Sequence, residues 1–309
     1  MALGWVIKSI YNLVQNYGVA IILFTIVMKL LLLPLNIKSQ KAMKKQQKIQ
    51  PLLAELQKKY ANDQQKLQQE TMKLYKENNV SMMGGCLPML LQMPILIALY
   101  QAIQKPLTYL FNVPYKEIPT DVVNKIVALA EKAGEKVSGD AAAFASQLMN
   151  TNQIGISSWA GQVEGKLHEW YINFNFLGLD LSRKPQDALS ALADPVNNLS
   201  VVLLLLIPAL AIVSSILQSK ISMKQSGQDK NKNEQAQSTN AMMMWMMPLM
   251  TGWFTFILPA GIGLYWIISG IVQIIQQLAL NYYFDKKGED FVVKVPEKRT
   301  KHGKNSKKH

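Results

Sequence analysis

The sequence is poor in the residue types that build disulfide frameworks, metal sites and catalytic triads. Its 309 residues include one cysteine, Cys86, and three histidines. A single cysteine cannot form an intrachain disulfide, and we interpret Cys86 as a small apolar packing residue. The motifs GxxxxGK[ST], HExxH and GxSxG do not occur in the sequence. We therefore predict that the protein is not an enzyme and that it holds neither a cofactor nor a metal ion.

Charged residues are nearly absent from five long apolar segments of the chain. None of the five contains Asp, Glu, Arg or His, and Lys29 is the only formally charged residue among them. A run of about 18 or more apolar residues is long enough to cross a bilayer as a helix. The sequence therefore predicts an all-α membrane protein with a five-transmembrane-helix bundle. The predicted spans are residues 18–35, 84–103, 201–217, 241–258 and 261–280.

Lysine and arginine are divided unevenly among the segments that connect these spans. Residues 36–83 contain 10 of them, residues 218–240 contain 4, and residues 281–309 contain 9. The alternate segments have Lys8 alone before the first span and 8 basic residues in 104–200. Basic loops tend to stay in the cytoplasm. The distribution predicts a multi-pass protein of the cell membrane with its N-terminus outside and its C-terminus in the cytoplasm.

Four of the connecting segments have patterns that predict their structure. Residues 1–17 are predicted to form an interfacial amphipathic helix on the outer side, because their apolar residues recur at helical spacing. Residues 104–200 are predicted to form a small folded extracytoplasmic region. Its helical patterns are VVNKIVALAEKAG and GDAAAFASQLMN, and NFNFLGLDLSRKP is typical of a loop or turn. The polar residues 218–240 predict a flexible cytoplasmic loop, and residues 281–309 a basic cytoplasmic tail.

Residues 36–83 contain two charged, glutamine-rich helical patterns with a break at residues 61–63. This arrangement predicts an antiparallel helical hairpin in the cytoplasm, with Asn62 or Asp63 capping its second helix. Pro51 is expected to kink or break the first helix. The basic base of the hairpin could bind anionic lipid headgroups or ribosomal RNA, or it could serve only to set the topology. It consists of Lys38, Lys41, Lys44, Lys45 and Lys48.

Lys29 is the residue in these spans that most needs a physical explanation. An ionised side chain at such depth costs at least ~2.5 kcal/mol and usually faces protein or water rather than lipid. One alternative is that Lys29 snorkels to the headgroups, because it lies only about 10 Å along the helix from Asn36. For the amides in the spans, the alternative is that they only form hydrogen bonds that hold neighbouring helices together. We predict instead a hydrated pocket around Lys29. The amides that could line it include Gln92, Gln218, Gln273, Gln276 and Gln277.

Several stretches of the sequence resemble the YidC-type membrane protein insertases, the bacterial relatives of the mitochondrial and chloroplast insertases. The most specific stretch is GCLPMLLQMPILIALY, and LPAGIGLYW is a second strong match. The first span with its basic continuation, GVAIILFTIVMKLLLLPLNIKSQKAM, and the hairpin stretch IQPLLAELQKKY also match. Among known members, the chain is most similar to the short, Gram-positive-type insertases.

The resemblance implies a five-helix core around a hydrophilic groove that opens to the cytoplasm and to lipid. Lys29 occupies the position of the family's groove arginine, so the charge is kept while the planar guanidinium fork is lost. Trp266 resembles a groove aromatic residue of the family, and Gln218 is matched to a groove glutamine of the third span. The implied partners are nascent membrane proteins, the lipid bilayer, the ribosome and the Sec translocon. The implied location is the cytoplasmic membrane of a bacterial cell.

We interpret the chain as an insertase and chaperone for hydrophobic segments, working alone or with the Sec translocon. Lys29, Gln92, Gln218, Trp266 and Gln273 are the predicted groove residues. Lys38, Lys41, Lys44, Lys45 and Pro51 are the predicted recruitment residues of the hairpin. Two alternatives remain open. A transporter of small molecules or ions is disfavoured because the spans lack Asp, Glu and His, and no small-molecule substrate is expected. A non-inserting assembly scaffold is compatible with the sequence.

Overall fold

The computed structural model describes residues 2–80, 87–113, 118–137, 139–163, 165–192, 199–226 and 234–286, and these residues are mainly helical. Cys86 and the tail beyond residue 286 lie outside them. The helices are α1 (Ala2–Val14), α2 (Tyr17–Leu31), α3 (Leu33–Lys59), α4 (Gln64–Glu77), α5 (Leu87–Gln104), α6 (Pro106–Tyr109), α7 (Thr120–Lys132), α8 (Ala141–Thr151), α9 (Gln153–Trp159), α10 (Ala188–Ala191), α11 (Leu199–Leu203), α12 (Leu206–Ser226), α13 (Glu234–Ile257) and α14 (Ala260–Lys286). Short 3-10 helices lie at Ala160–Gln162, Gly165–Trp170 and Pro185–Asp187, and the strands β1 (Asn175–Phe176) and β2 (Leu179–Asp180) pair antiparallel.

Two of the described helices are long and apolar enough to cross a membrane. These are the Leu206–Lys224 part of α12 and the whole of α14. A third span results if α2 and α3, which meet at an angle of 61°, are counted as one broken crossing. The structure therefore agrees with an all-α membrane protein. The count of five spans stays a prediction, with α5 and α13 as the helices that overlap the other two predicted segments.

The first predicted span is not one straight helix. It bends by 61° between α2 and α3, where Leu32 serves as the junction. Pro34 lies in the first turn of α3, a position where a missing backbone N–H costs no helical hydrogen bond. The bend follows from this proline, because the ring clashes with a helix that would continue straight from α2. Lys29 thereby lies in the last turn of α2.

A kink or a break is predicted at Pro51. The break is wrong, because α3 runs without interruption from Leu33 to Lys59. A proline inside a helix removes one hydrogen bond. The neighbouring Ile49 is buried with Tyr75 and Val80, and this packing offsets that loss. Pro51 itself faces outward and is exposed.

The predicted helical hairpin is formed by α3 and α4, and its predicted cap at Asp63 is confirmed. Asp63 precedes α4, and its Oδ1 accepts a hydrogen bond from the Lys66 backbone N–H at 3.0 Å. The two helices close over a small apolar cluster of Ile49, Tyr75 and Val80. Burial raises the pKa of the Tyr75 hydroxyl, which therefore stays neutral. The packed part of the hairpin is thus its base, near the bundle.

The main core joins α1, α2, α5 and α14 at the end of the bundle opposite the hairpin. Gly4 lets α1 approach α6 closely, since a Cβ at this position would lie 2.5 Å from the Tyr109 carbonyl oxygen. Ile7 and Tyr11 are buried on this side of α1, whereas Trp5 and Leu13 are exposed. The helix predicted for residues 1–17 is therefore present, with its packed face centred on Ile7 and Tyr11.

A second core lies in the region between α5 and α12. It joins α7, α8 and α9, and Ile126, Leu129 and Met149 are fully buried in it. The two helices predicted from sequence here are present as α7 and α8. Gln153 connects this core to α6, because its amide nitrogen donates to the Thr108 hydroxyl at 2.9 Å and its amide oxygen accepts from the Thr108 N–H at 3.1 Å.

Residues 171–183, which we call the strap, cross the ends of α2 and α14. The Tyr17 N–H donates to the Asn173 carbonyl at 3.1 Å. The N–H groups of Ala260 and Gly261 donate to the carbonyls of Arg183 at 2.8 Å and Leu181 at 2.9 Å. The first amides of a helix have no partner inside the helix. The strap satisfies such amides in both helices and so joins the end of α2 to the end of α14.

Helical structure extends into the segment predicted as a flexible loop. Helix α12 continues to Ser226 and α13 begins at Glu234, while residues 227–233 lie outside the described part of the chain. The segment contains five Gln and four Lys residues, which favour helices even though they are polar. The polarity of the segment predicts a flexible loop, but these residue types can also extend a helix beyond the bilayer.

Candidate functional site

Helix α14 presents a row of buried polar side chains to the other helices. Tyr265, Ser269, Gln273 and Gln277 follow one another at intervals of four residues, and all four are buried. Residues four apart share one face of a helix. We call this row the polar stripe. The opposite face of α14 is apolar and exposed at Ile271, Ile275 and Leu278, as expected for a face that meets lipid.

Lys29 meets the polar stripe at Gln273. Its Nζ donates to Gln273 Oε1 at 3.0 Å, and the residue is only 8% exposed. The end of α2 is a favourable place for this charge, because the C-terminal end of a helix dipole is negative. No ion pair found among the described residues includes Lys29. Its partner in the structure is therefore a neutral amide oxygen.

The backbone around Lys29 is fixed by two further amides. Gln276 Nε2 donates to the Lys29 carbonyl at 3.2 Å, and Gln276 Oε1 accepts from Asn36 Nδ2 at 3.3 Å. Asn36 lies just after the bend, in α3, so the Gln276 and Asn36 side chains and the Lys29 carbonyl connect α2, α3 and α14. This hydrogen-bonded group holds the ammonium at the bend, where the first predicted span changes direction.

Gln92 contacts the polar stripe one turn away from Gln273. Its amide nitrogen donates to the Tyr265 hydroxyl and, at 3.2 Å, to Ser269 Oγ. Ser269 and Gln273 are four residues apart, which corresponds to about 6 Å along the helix. The polar contacts of α5 and α2 with α14 therefore occupy consecutive turns.

Gln218 reaches the same helix from α12. A Cβ at Gly270 would lie 2.3 Å from Ser214 Oγ and 3.9 Å from Gln218 Oε1, so α12 and α14 are close there. Ser214 Oγ and Gln277 Oε1 are buried and have no hydrogen-bond partner among the described residues. Buried polar atoms nearly always have partners. Gln277 belongs to the polar stripe, whereas Ser214 lies on α12 next to Gly270.

Trp266 has a different environment from the other predicted groove residues. Its ring stacks on Phe254 of α13, with centroids 6.3 Å apart and planes 17° from parallel. The structure thus brings Lys29 and Gln273 into direct contact, and it places Gln92 and Gln218 against α14, the helix that contains Gln273. It shows Trp266 in an aromatic pair between α13 and α14.

The predicted recruitment lysines divide into two groups. Lys44 is largely buried and connects α3 to the end of α14, where it pairs with Asp285 and donates to the Asn281 carbonyl at 3.4 Å. Lys41 and Lys44 also lie 5.5 and 5.6 Å from the centroid of the Phe284 ring. Lys38 is exposed. Lys44 therefore has a structural role at the hairpin base, whereas Lys38 is presented to the surroundings.

Sequence reasoning missed Tyr265 and Asn36 as members of the site. The four-residue spacing of Tyr265, Ser269, Gln273 and Gln277 was readable in the sequence, and it predicts a shared face. The role of Asn36 was not readable, because it depends on the bend at Leu32 that brings α3 next to α14. Asn281, one more turn along α14, also has a buried amide oxygen without a partner among the described residues.

The chemistry of this cluster is hydrogen bonding and one positive charge. In the part of the chain that the structure describes, no group of three or more His, Cys, Asp and Glu side chains could hold a metal ion. The site lies among membrane-spanning helices and holds an ammonium group with a neutral partner. These properties define a membrane protein with a buried, cationic polar site between helices.

The family of the chain is shown by its match to known proteins. The chain belongs to the 60Kd inner membrane protein family, whose model matches residues 9–287. It is 32% identical over 277 residues to the membrane protein insertase YidC of Caldanaerobacter subterraneus, covering 90% of this chain and 91% of the relative. It is 30% identical over 283 residues to that of Oceanobacillus iheyensis (90% and 80% covered) and 32% identical over 293 residues to YidC 2 of Listeria innocua (93% and 72%). The resemblance drawn from the motifs is confirmed.

Proposed function

We propose that this chain, a membrane protein insertase, receives the polar flank of a nascent hydrophobic segment at the polar stripe. Lys29 would attract acidic side chains of that flank, and the amides of α14 would hydrogen-bond to its backbone. The observation that carries the proposal is the buried Lys29 ammonium with a neutral oxygen as its partner, 3.0 Å away. No covalent step is involved, and Lys29 acts as an electrostatic guide.

The electrostatics support a binding role for Lys29. A buried charge is costly unless an opposite charge or several hydrogen bonds offset it. An ammonium has three N–H donors, and the contact with Gln273 uses one of them. A carboxylate arriving with the substrate would add a charge-assisted hydrogen bond, which is about twice as strong as a neutral one. The site therefore favours an acidic flank over a neutral flank.

The same arrangement lowers the barrier for moving polar residues across the bilayer. Uncompensated polar groups cost several kcal/mol each in hydrocarbon (about 2–7 kcal/mol). The polar stripe offers substitute hydrogen bonds over the turns from Tyr265 to Gln277, so less of the crossing occurs in lipid. The driving force comes from the apolar segment entering lipid and from the membrane potential, which contributes about 2.3 kcal/mol per charge at 100 mV.

The remaining parts of the chain receive roles that fit this mechanism. We place five spans across the membrane with the N-terminus outside, so that the hairpin of α3 and α4 is cytoplasmic. The exposed lysines of the hairpin, such as Lys38 and Lys48, would contact anionic lipid or the ribosome. The insertase would work alone or beside the Sec translocon. This topology rests on the distribution of basic residues.

Reconstitution of the full chain alone tests the proposal. Vesicles that contain the purified protein receive a single-span substrate with an acidic flank, and insertion is measured by protection of the translocated flank from added protease. We expect protection above that of protein-free vesicles. Leakage of a small trapped solute without insertion would indicate a transporter. Substrate binding without protection would indicate an assembly scaffold.

A further inference from the structure

The turn between β1 and β2 has an unusual residue at its tip. Leu177 and Gly178 have φ angles of +53° and +80°, which is the pattern of a two-residue type I′ hairpin turn. Asparagine, aspartate or glycine normally occupies the first of these positions, because a left-handed backbone is unfavourable for bulkier residues. Leu177 is also 86% exposed, the highest value for a large apolar side chain in the described part of the chain. Both backbone geometry and solvation therefore disfavour leucine here.

The tip lies beside the outer end of the first predicted span. Asn16 Nδ2 donates to the Asn175 carbonyl at 2.9 Å, just before α2 begins. The next residue, Phe176, packs its ring on Gly18, where an added Cβ would lie 2.3 Å from the ring. Gly18 is the first residue of the apolar segment 18–35. Leu177 follows Phe176 directly, so the tip is at the level where α2 enters the membrane.

The surroundings of the tip are also suited to lipid. The segment YINFNFLGL, residues 171–179, contains no charged side chain. Leu13 of α1 is 85% exposed and precedes Asn16 by three residues, so a second exposed leucine originates at the same junction. A loop in water would be expected to have polar residues at such a tip. Apolar residues next to the end of a membrane-spanning helix are instead typical of the headgroup boundary.

We propose that Leu177, at the tip of the β1–β2 hairpin, inserts into the outer leaflet of the bilayer next to α2. Transfer of its side chain out of water would offset the left-handed backbone. The extracytoplasmic region thereby gains a lipid contact of its own, and the strap is held at a fixed depth over the ends of α2 and α14. The proposal needs the membrane location and the side of the membrane assigned to this region. It does not depend on the role of Lys29.

A site-specific fluorescent probe tests the depth of the tip. The full chain with Leu177→Cys, in a Cys86→Ala background, is labelled with bimane and reconstituted in phosphatidylcholine and phosphatidylglycerol vesicles. Glu135→Cys, an exposed position of the same extracytoplasmic region, is the matched aqueous control. We expect the Leu177 probe to be quenched by lipids brominated near the top of their acyl chains. Its quenching by aqueous iodide should be several-fold weaker than that of the Glu135 probe.

Two outcomes of the quenching experiment would overturn the assignment. Iodide quenching equal to that of the Glu135 probe would place the tip in water. A probe quenched neither by iodide nor by brominated lipid would be covered by protein, either a substrate or a second copy of this chain, and the lipid contact would be refuted.

A second variant separates lipid contact from turn stability. Leu177→Asn keeps the type I′ turn and removes its backbone strain, but it also removes the apolar tip. We expect the Leu181 amide, which donates to the Phe174 carbonyl at 3.0 Å, to exchange its hydrogen several-fold faster in the variant than in the parent in vesicles. A tip in water predicts the opposite sign, because asparagine would then stabilise the hairpin. Equal or slower exchange in Leu177→Asn would contradict the proposal.

Discussion

At the scale of single residues, the proposed guiding role of Lys29 depends on its contact with Gln273. The two side chains are 244 positions apart in sequence, and their atoms meet at 3.0 Å between α2 and α14. Gln273 orients the ammonium without neutralising it. An amide is suited to this purpose, because it offers an oxygen acceptor and no charge. The identity of residue 273 therefore decides how much of the Lys29 charge is available to a substrate.

Replacement of Gln273 by glutamate is expected to separate stability from function. Glu has nearly the shape of Gln, so Gln273→Glu would give Lys29 an ion-pair partner inside the protein. We expect thermal stability in detergent to be equal or higher. The initial rate of insertion for an acidic-flanked substrate should fall roughly tenfold, since one charge-assisted hydrogen bond is worth about 1.5–3 kcal/mol. Protease protection and thermal unfolding measure the two quantities.

The control for this variant adds the same charge at a distant surface. Gln147 is exposed on α8, and Gln147→Glu should leave both insertion and stability unchanged. A substrate with a neutral flank should be much less sensitive to Gln273→Glu than the acidic-flanked one. Parental insertion of the acidic-flanked substrate by Gln273→Glu would refute the idea that the free charge of Lys29 guides it.

At the scale of secondary structure elements, the bundle depends on close contacts of helices at small residues. Gly263 of α14 faces Ile207 of α12, where an added Cβ would lie 2.3 Å from Ile207 Cγ2. Helices in membranes associate through such small residues. The contact fixes the distance between α14, which carries the polar stripe, and α12, which carries Ser214 and Gln218.

Gly263→Ala is expected to destabilise the bundle. Overpacking typically costs about 1–3 kcal/mol, and the better helix propensity of alanine offsets about 1 kcal/mol of that. Because an added Cβ would lie only 2.3 Å from Ile207 Cγ2, the cost should be in the upper part of this range. We therefore expect a net loss of about 1–2 kcal/mol in the free energy of unfolding, measured by denaturant titration in mixed micelles. Ile207→Leu moves the clashing methyl away from Cβ and should restore stability in the double variant. Absence of any loss in Gly263→Ala would show that α12 and α14 are less tightly packed than described.

The hairpin of α3 and α4 differs in packing between its base and its tip. Its buried residues, including Met43, Ile49 and Tyr75, all lie near the base. No residue in 54–70 is buried. The tip therefore has little tertiary stabilisation, which is typical of segments that move to contact partners.

Excision of residues 54–70 with a short Gly/Ser linker is expected to impair recruitment without unfolding the bundle. All buried residues of the hairpin remain, so thermal unfolding in detergent should change little. Insertion yield should decrease at low substrate concentration and recover in part at high concentration, because binding rather than translocation is affected. An unchanged yield at all concentrations would show that the hairpin tip has no recruiting role.

These elements also show how far the sequence predicted the structure. The cap at Asp63, the helices α7 and α8 and the apolar helices α12 and α14 follow from local signals, which a single sequence contains. The bend at Leu32 and the intact α3 across Pro51 do not, because a proline in a sequence does not by itself show whether it begins a helix or lies inside one. Pro34 falls in a first turn, whereas Pro51 lies in a helix stabilised by buried neighbours. Tertiary packing decides between them.

Several residues of the candidate site could be predicted from the sequence, but their partners could not, because the partners depend on tertiary packing. Lys29 stands out in the sequence as a lone charge, and Gln92 and Gln273 as amides in apolar segments. Their partners depend on which helices become neighbours. The pairing of Lys29 with Gln273, and of Gln92 with Tyr265 and Ser269, follows only from the packing of α2 and α5 on α14.

At the scale of the whole molecule, the two ends of the bundle have different construction. The strap bonds to the first amides of α2 and α14 at one end. At the other end, α3 bends away at Leu32, and the contacts between α3 and α14 are made by polar or charged side chains such as Asn36 and Lys44. One end is thus joined by backbone hydrogen bonds, and the other is polar. This asymmetry agrees with entry of a polar flank from the hairpin end.

The most direct test of the central claim compares Lys29 variants on one substrate with and without its acidic flank. The variants are Lys29→Arg, Lys29→Gln, Lys29→Glu and Lys29→Leu, reconstituted at matched amounts, and the readout is the initial rate of protease-protected insertion. For the acidic-flanked substrate we predict activity near the parent for Arg, roughly tenfold loss for Gln and no measurable insertion for Glu. The difference between Lys and Gln should shrink when the flank is neutral.

A structural lysine predicts instead that Lys29→Leu is tolerated or stabilising, because it removes a buried charge. Equal insertion of the acidic-flanked substrate by Lys29→Leu and the parent would contradict the account.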